Sequence, residues 1–259
     1  MSFQTLFTKL EDHTLIITIN RPDILNALNK QVINDLDAVM DRVYKFPEIK
    51  SVVITGAGLK SFVAGADIKE FESLTKEQAV AVAKRGQAVF SKIEHCPKPV
   101  VACVNGFALG GGCELAMSCH FVIASESATF GQPEVNLGIM VGYGGSQRLT
   151  QRVGKGRAME LIITGKTINA TQAMNYGLAN YVVPQSELLD KAFSILRVCH
   201  QKSLIAVGNS IKAINAVLDE QVNGYDVEAE LFGECFVTDD CKEGIQAFID
   251  KRKPIFKGH

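Results

Sequence analysis

The sequence predicts an α/β fold with strands concentrated in the first half of the chain and helices in the second. Three observations predict it. Short β-branched runs, such as His13–Asn20 and Ser51–Thr55, have the composition of buried strands. Segments with apolar residues at helical spacing alternate with those runs, and from Gln147 onward the helical pattern predominates. With 259 residues, 47% of them hydrophobic and 21% charged, the chain can bury a core and keep a solvated surface.

The elements of the first half follow from local signals. Strand His13–Asn20 ends at the turn residues Arg21-Pro22-Asp23, and Asn29 can cap a helix from Lys30 to about Phe46. Helix Lys76–Ile93 contains Gly86, a residue that weakens helices. The remaining elements predicted here are a buried strand at Pro99–Asn105, a short helix at Cys113–Ser118, a strand at His120–Ala124 and an irregular, Gly-rich stretch at Phe130–Gly145.

The second half has mostly helical patterns and no repeat of fixed period in its sequence. The predicted helices lie at about Gln147–Gln151, Gly156–Thr164, Thr171–Tyr176, Ser186–Ala213 with a break, Tyr225–Phe236 and Lys242–Asp250, and a basic tail follows.

Charge and cysteine content exclude several classes of protein. The 27 basic and 28 acidic side chains give a net charge of −1, which argues against broad nucleic-acid binding, so an anionic ligand must be met by local positive charge. Seven cysteines without a CxxC pair indicate small buried hydrophobes of a reducing compartment, and the five histidines lack metal-site spacing. No signal peptide or apolar run of membrane length is evident, so we expect a cytoplasmic protein with no membrane partner.

Two Gly-rich segments follow buried strands. Thr55–Ser61 lacks the spacing of a phosphate loop and is predicted to be a strand-to-loop turn. Gly106–Gly112 lacks the G-x-G-x-x-G spacing of a dinucleotide site. Its triplet Gly110-Gly111-Gly112 permits close backbone approach and free N–H groups at the start of the next helix. The triplet therefore indicates either half of an oxyanion hole or a tight helix–strand junction.

Two carboxylates stand near these glycines. Glu114 is the only charge in the first turn of the predicted helix 113–118, and Glu134 lies in an apolar loop. Acids in such surroundings meet a partner or have a raised pKa. If the two converge beside backbone donors, they suit general acid/base chemistry at an activated carbonyl. Solvated or helix-capping acids are the alternative at this stage.

Several ordered motifs resemble those of the crotonase superfamily over about residues 5–257. They are Arg21-Pro22 with Asn26-Ala27-Leu28-Asn29, Phe62 to Glu70 (FVAGADIKE), Gly110 to Glu114 (GGGCE), Phe130 to Glu134 (FGQPE) and Gly144 to Leu149 (GGSQRL). Within the superfamily the chain most resembles short-chain enoyl-CoA hydratases, which carry an acid at both glutamate positions.

The resemblance implies a spiral of ββα units followed by a helical C-terminal region that builds homotrimers, usually paired as homohexamers. We expect the spiral core at 1–195 and the helical region at 196–259, within one functional domain. The implied reaction is reversible addition of water across the 2,3-double bond of a short-chain 2-trans-enoyl-CoA, which gives 3-hydroxyacyl-CoA. No cofactor is expected, because CoA is part of the acyl-CoA thioester substrate.

The resemblance also implies a role for individual residues. The N–H groups of Ala66 and Gly111 would form the oxyanion hole, with Glu114 as the base toward water and Glu134 as the acid toward Cα. The substrate-binding residues it implies are Ala64, Ala66, Asp67, Ile68, Lys69, Gly111, Gly142, Tyr143, Phe232 and Lys251. For Lys251 a solvated basic tail is an equal alternative, and for Phe232 ordinary helix core is.

Four positions depart from the family pattern. Val141 replaces a common Pro, and Tyr143 stands where Ala or Phe is usual, so Tyr143 could shorten the acyl pocket and favour four- to six-carbon chains. His120 replaces an Asp and is predicted to be a structural histidine. Asp23 replaces a cation, which weakens the hold on a CoA phosphate.

Three alternatives to hydration come from other reactions or functions. Isomerases, decarboxylases and ring-forming synthases share the superfamily, but two retained acids favour hydration. A protease on the same spiral fold needs a Ser nucleophile, and none stands near Ala66 or Gly111. A silent acyl-CoA binder would be indicated by loss of an acid, and both are present.

Overall fold

The computed structural model describes residues 3–219 and 221–259, and its strands form two sheets. The larger contains, in spatial order, β1 (Leu6–Glu11), β2 (Thr14–Ile19), β3 (Ser51–Gly56), β5 (Val100–Val104), β7 (Phe121–Ser125) and β10 (Tyr181–Val183). The smaller contains β4 (Ser61–Val63), β6 (Phe107–Leu109), β8 (Thr129–Gly131) and β9 (Thr167–Asn169). Only the β1–β2 and β8–β9 pairs are antiparallel in this part of the chain.

Ten α-helices occur among the described residues. They are α1 (Lys30–Lys45), α2 (Lys76–Glu94), α3 (Gly111–Ser118), α4 (Gly145–Val153), α5 (Lys155–Thr164), α6 (Ala170–Tyr176), α7 (Leu188–His200), α8 (Leu204–Ala216), α9 (Gly224–Phe236) and α10 (Asp239–Ile249). The predicted cap of α1 is confirmed, because the Asn29 side chain accepts a hydrogen bond of 2.9 Å from the Val32 N–H.

The order of elements forms a spiral of ββα units, as the resemblance implied. Three successive turns, β3–β4–α2, β5–β6–α3 and β7–β8–α4, each place one strand in the larger sheet, the next in the smaller sheet and then a helix. Consecutive turns therefore put β3, β5 and β7 side by side as parallel neighbours. The same repetition stacks β4, β6 and β8, so the start of α3 is enclosed by the turns before and after it.

The central strands of the larger sheet are buried on both faces. One face packs in the main core with α1, α2 and α3, where Leu36, Phe90 and Leu115 are fully enclosed. On the other face, Val101 and Ile123 pack against residues of α7. Burial on both faces explains why these strands are continuous apolar runs.

Some predicted boundaries were wrong. The stretch Phe130–Gly145, expected to be irregular, begins within β8 and contains a 3₁₀ turn at Glu134–Leu137. Strand β1 was not predicted, and its Phe7 and Leu10 are exposed on the outer edge of the sheet. The predicted break within Ser186–Ala213 is confirmed as the gap between α7 and α8.

The C-terminal helices carry many large apolar side chains on their surface. The exposed ones are Ile214, Val217, Leu218, Val222, Tyr225, Phe232, Phe236, Val237, Ile245, Phe248, Ile249 and Ile255. A surface this apolar is unusual for a monomeric protein. The expected division at residue 195 falls inside α7 and stays a prediction.

All seven cysteines are free, and Cys96, Cys103, Cys113 and Cys119 are buried. Burial raises the pKa of the Cys96 thiol to about 11 and that of Cys119 to about 12. In the described ranges, no group of three or more potential ligands could hold a metal ion. Within those ranges, every helix is too short or too polar to cross a membrane.

Candidate active site

Helix α3 begins against the smaller sheet, and Gly110 makes this start possible. Gly110 has φ 51° and ψ −123°, a conformation that only glycine adopts readily. Its N–H donates to Gly131 O at 2.9 Å, which holds the start of α3 beside the end of β8. The first turn of a helix leaves its N–H groups without helical acceptors. The Gly111 N–H is therefore available at this point.

The segment that carries Ala66 lies close to the start of α3, and Leu28 contacts both. Leu28 forms a parallel bridge with Ala66 through the Gly65 carbonyl and the Asp67 N–H, at 2.9 and 2.7 Å. These bonds use the flanking groups and leave the Ala66 N–H pointing away from Leu28. A Cβ on Gly111 would lie 3.1 Å from Leu28 Cδ1. Leu28 therefore adjoins two segments, from separate turns of the spiral, that each carry one of the expected backbone donors.

Glu114 is buried in the first turn of α3, with 2% of its surface exposed. Its Oε1 accepts hydrogen bonds from the N–H groups of Tyr143 and Gly145, at 2.8 and 2.6 Å. The pKa of this carboxyl is raised to about 7, chiefly by burial and also by the Glu134 charge, and those two N–H donors and Arg148 limit the increase. Glu114 is therefore neither a solvated acid nor a helix cap, and it titrates near neutrality.

Glu134 lies against Gly110, the residue that precedes α3. It begins the 3₁₀ turn after β8, and burial raises its pKa. A Cβ on Gly110 would lie 2.8 Å from its Oε1. Gln132, which is 1% exposed, donates to Oε1 at 3.1 Å when its amide nitrogen faces the carboxylate. A Cβ on Gly145 would contact both Gln132 and Glu114, so Gln132 lies near both acids.

Tyr143 forms one wall of this site and is 8% exposed. Its ring lies between Gly86 of α2 and Gly111, because a Cβ on Gly86 would collide with one edge and a Cβ on Gly111 would lie 3.4 Å from the other. Phe90 packs against it edge to face, with ring centroids 5.6 Å apart. Gly142 is held beside it by a 2.9 Å bond from the Gln87 amide to its carbonyl.

Comparison with known proteins identifies the family of this chain. The model of the enoyl-CoA hydratase/isomerase family matches residues 10–259. The chain belongs to the enoyl-CoA hydratase/isomerase family. It is 45% identical to the short-chain-enoyl-CoA hydratase of Clostridium acetobutylicum over 98% of this chain and 97% of the relative. It is 44% identical to the crotonyl-CoA hydratase of Syntrophomonas wolfei over 99% of both.

Solved structures of the hydratase/isomerase family share the fold. The crystal structure of enoyl-CoA hydratase from Bacillus anthracis is similar to this chain with a TM-score of 0.92 and 37% identity. The similarity covers 99% of this chain and all of that one. The predicted α/β spiral is therefore confirmed both by the order of its elements and by a known member of the family.

The segment from Ala64 to Lys69 contains several of the expected substrate-binding residues. It is bonded to the turn that contains Arg21 and Leu25. The Ala64 N–H donates to Leu25 O at 3.1 Å. The Asp67 carboxylate pairs with the Arg21 guanidinium at 3.0 Å, so its charge is balanced within the chain. Ile68 and Lys69 lie on an exposed 3₁₀ turn, Ile68–Phe71, next to the Ala66 donor.

Phe232 and Lys251 lie in the C-terminal helical region. Phe232 is 66% exposed on α9 and packs on Phe236, with ring centroids 4.9 Å apart. The alternative that Phe232 is helix core is therefore wrong for this chain. Lys251 is exposed just after α10. Within the described ranges, no hydrogen bond or ring contact joins either residue to the Glu114 segment.

His120 is a structural histidine, as predicted. Its Nδ1 accepts from the Val100 N–H and its Nε2 donates to Glu94 O, both at 3.0 Å, which requires the neutral ring. Burial lowers its pKa and favours the same neutral form. Asp23 lies exposed in the 3₁₀ turn Pro22–Ile24.

Sequence reasoning missed three residues that support the site. Gln132 and Arg148 stand inside quoted motifs, FGQPE and GGSQRL, and Arg21 begins another. Being polar and buried, Gln132 and Arg148 need partners, but their burial cannot be seen in such short motifs. Only the fold shows that their partners are Glu134, Glu94 and the loop around Tyr143.

Proposed function

We propose that this protein is an enoyl-CoA hydratase that adds water reversibly across the 2,3-double bond of a short-chain 2-trans-enoyl-CoA to give 3-hydroxyacyl-CoA. The observation that carries the proposal is that a buried acid, Glu114, and a half-buried acid, Glu134, both lie at the start of α3 with raised pKa values. The names of the relatives, short-chain-enoyl-CoA hydratase and crotonyl-CoA hydratase, support it.

The N–H groups of Ala66 and Gly111 bind the thioester oxygen. Attack of water at Cβ moves negative charge onto that oxygen as an enolate forms. Fixed donors stabilise this charge more than they stabilise the ground state, and one donor contributes roughly 2.7–4 kcal/mol in comparable oxyanion holes. The N-terminus of α3 adds its positive dipole at the same place.

Glu114 and Glu134 divide the proton transfers. Glu114 Oε1 is occupied by two backbone donors, so its other oxygen is left to take a proton from water as the water oxygen bonds to Cβ. A pKa near 7 suits a base that works at neutral pH. Glu134, whose pKa is also raised, delivers a proton to Cα. The Glu134 charge contributes to the raised pKa of Glu114, and dehydration uses the same steps in reverse.

Two retained acids favour hydration over isomerisation. Moving a double bond shifts one proton between carbon atoms and uses no water. Hydration also places a water molecule, and two acids that both lie near Gln132 can hold it between them. CoA serves as part of the substrate, so the chemistry requires no separate cofactor.

The short-chain preference rests on Tyr143. Its ring fills the space between α2 and α3 next to the Gly111 donor, and Phe90 supports it from behind. An acyl chain that starts at the oxyanion hole meets this ring after a few carbons. Val141, which is also buried, continues the wall.

Binding of CoA and oligomer formation belong to the same proposal. Lys69 lies beside the Ala66 donor and can meet a CoA phosphate, and Phe232 and Lys251 serve CoA bound by another copy of the chain. The exposed apolar surface of α8 to α10 supports a homotrimer or homohexamer. Seven free thiols support a reducing, cytoplasmic location.

The test is loss of the conjugated enoyl-thioester absorbance of crotonyl-CoA, followed for the wild type and for Glu114→Gln and Glu134→Gln. We expect rapid hydration by the wild type and a loss of roughly a hundredfold or more in each variant, the scale of acid/base removal. A wild type that binds crotonyl-CoA without hydrating it would sink the proposal and leave a silent binder or another acyl-CoA reaction.

A further inference from the structure

Arg148, in the first turns of α4, is a buried cation with every part of its guanidinium engaged. It is 7% exposed. Its Nε and Nη2 donate to Glu94 Oε2 at 3.1 and 2.8 Å, and Nη2 also donates to Ser91 Oγ at 3.2 Å. The remaining nitrogen, Nη1, donates to the Tyr143 carbonyl at 2.9 Å. Both acceptor side chains belong to the last turn of α2, so Arg148 connects α2 to the loop before α4.

The backbone at Tyr143 links this cation to Glu114. The Tyr143 carbonyl accepts from Arg148, and the N–H of the same residue donates to Glu114 Oε1. Gly145, the second donor to Oε1, follows two residues later at the start of α4. A shift of this loop would therefore move both donors of Glu114 together.

Gly144 shows how closely the guanidinium and the loop fit. It has φ 106°, and a Cβ at this position would collide with Arg148 Nη1. The loop can adopt this conformation against a planar, forked side chain, whereas a lysine offers one ammonium and cannot reach Glu94 and the Tyr143 carbonyl in the same way.

We propose that Arg148 is a positioning residue for the hydration reaction: through the Tyr143 carbonyl it holds the two N–H groups that orient the Glu114 carboxylate. The proposal rests on the function proposed above. Arg148 itself does not contact the acyl group. It acts through the 143–145 backbone and through its charge, which is anchored on Glu94.

The charges around Glu114 give this role a signature that a purely structural role lacks. Glu134 faces Glu114 from the 3₁₀ turn, Cys113 from α3, Tyr143 from the loop and Arg148 from α4. Of these, Arg148 is the cation, and it holds the pKa of Glu114 down against burial. Glu114 works as a base in its ionised form. Loss of Arg148 therefore raises that pKa, and the acidic limb of the pH profile moves to higher pH.

The control comes from the same helix. Arg152 is also largely enclosed and donates to the carbonyls of Met117 and Cys119 at the end of α3, at 2.8 and 2.6 Å. Its removal costs buried hydrogen bonds without touching the donors of Glu114. Arg152→Met thus matches Arg148→Met in the chemistry of the substitution and in its helix, and normalisation to the folded fraction removes the difference in stability.

The experiment measures kcat, KM and the pH profile of kcat/KM with crotonyl-CoA for the wild type, Arg148→Met and Arg152→Met, each normalised to its folded fraction. We expect Arg148→Met to lower kcat by about tenfold to a hundredfold, the scale of a misplaced catalytic group, with KM within a few-fold. The acidic limb of the pH profile moves to higher pH in Arg148→Met, whereas in Arg152→Met it lies at the same pH as in the wild type.

Two further variants keep the test decisive if Arg148→Met does not fold. Arg148→Lys keeps the cation and loses the fork, so we expect lower kcat and an acidic limb that moves to higher pH by less than in Arg148→Met, because only the hydrogen bonds to Glu114 weaken. Glu94→Gln removes the carboxylate that anchors Arg148 and keeps the cation, so we expect kcat to fall and the acidic limb to move to higher pH by less than in Arg148→Met. The proposal would be overturned if all variants had the same acidic limb of the pH profile and the same kcat per folded molecule as the wild type. An inactive wild type would instead overturn the hydratase assignment.

Discussion

At the scale of single residues, Glu114 is held in a state that costs the folded protein free energy. Its folded pKa of about 7 exceeds the ordinary value of 4.5, so the folded state binds its proton more tightly than the unfolded chain does. Stability from this group is present below pH 4.5 and is lost as the pH rises through 7. The difference corresponds to about 3 kcal/mol.

We therefore expect Glu114→Gln to be more stable than the wild type above pH 7, by up to about 3 kcal/mol, with the advantage shrinking toward pH 4.5. Denaturant unfolding at several pH values measures it. Asp35 is the control of opposite sign, because burial raises its pKa but the hydrogen bonds from Thr5 and Gln31 outweigh this and lower it. Asp35→Asn should destabilise at neutral pH. A Glu114→Gln variant less stable than the wild type at pH 8 would contradict this account.

Gly145 is a second residue whose size matters to the site. A Cβ there would lie 2.9 Å from Glu114 Oε1 and 2.8 Å from the Gln132 amide. We expect Gly145→Ala to lower kcat by about tenfold or more, because it displaces the carboxylate.

The matched control for Gly145→Ala is Gly156→Ala in α5, where a Cβ meets nothing within 4 Å. This change should leave crotonyl-CoA hydration unaffected and stabilise the helix by up to about 1 kcal/mol. Steady-state kinetics and thermal unfolding of the pair separate the two effects. Equal activity in both variants would show that the contact with Glu114 is unimportant.

The two catalytic candidates were predictable from the sequence, whereas their supports were not. An acid among apolar residues, such as Glu114 between Cys113 and Leu115, can be recognised in the sequence as a candidate functional group. The backbone donors that hold it come from Tyr143 and Gly145, about thirty residues further along the chain. Every residue except proline has a backbone N–H, so the sequence cannot show which N–H groups donate to Glu114.

At the scale of elements, helix α2 shows a propensity rule overridden by packing. Gly86 weakens a helix in general, yet here a Cβ would collide with the Tyr143 ring. We expect Gly86→Ala to destabilise the protein by about 1–3 kcal/mol, as overpacking does, although the same change stabilises most helices. The double variant Gly86→Ala, Tyr143→Ala should recover part of that loss. Unfolding free energies of the four proteins form the cycle, and strict additivity would argue against the contact.

Tyr143→Ala also tests the acyl pocket. Removing the ring opens the space between α2 and α3, so we expect kcat/KM for eight- and ten-carbon enoyl-CoA substrates to rise relative to crotonyl-CoA by about tenfold or more. Tyr143→Phe is the control, because it keeps the ring and should keep the short-chain preference. An unchanged chain-length profile in Tyr143→Ala would remove Tyr143 from the pocket wall.

The sequence predicted those elements that are long enough to show a hydrophobic periodicity. Helix α2 differs from its predicted bounds by one residue at its C-terminus, and α1 begins at the predicted cap. Strands β4, β6 and β8 have three residues each, which is too short for alternation to show, and they were missed. Their pairing depends on the spiral and not on local sequence.

At the scale of the whole molecule, the apolar surface of α8 to α10 predicts self-association. We expect light scattering of the purified protein to give a trimer or hexamer, and Phe248→Glu to shift it toward smaller species. Phe248 is 85% exposed. Phe7→Glu is the matched control, because Phe7 is exposed at the far end of the chain on β1. A monomeric wild type would overturn the prediction.

The buried cysteine thiols can report local unfolding of the elements that contain them. Cys113 adjoins Glu114 in α3, and burial raises the pKa of its thiol, so an alkylating reagent reacts with it only after the helix exposes it. Cys103 in β5 reports in the same way on the middle of the larger sheet. Mass spectrometry of the modified peptides can therefore follow, without engineered probes, whether α3 unfolds locally before the central strands or together with them.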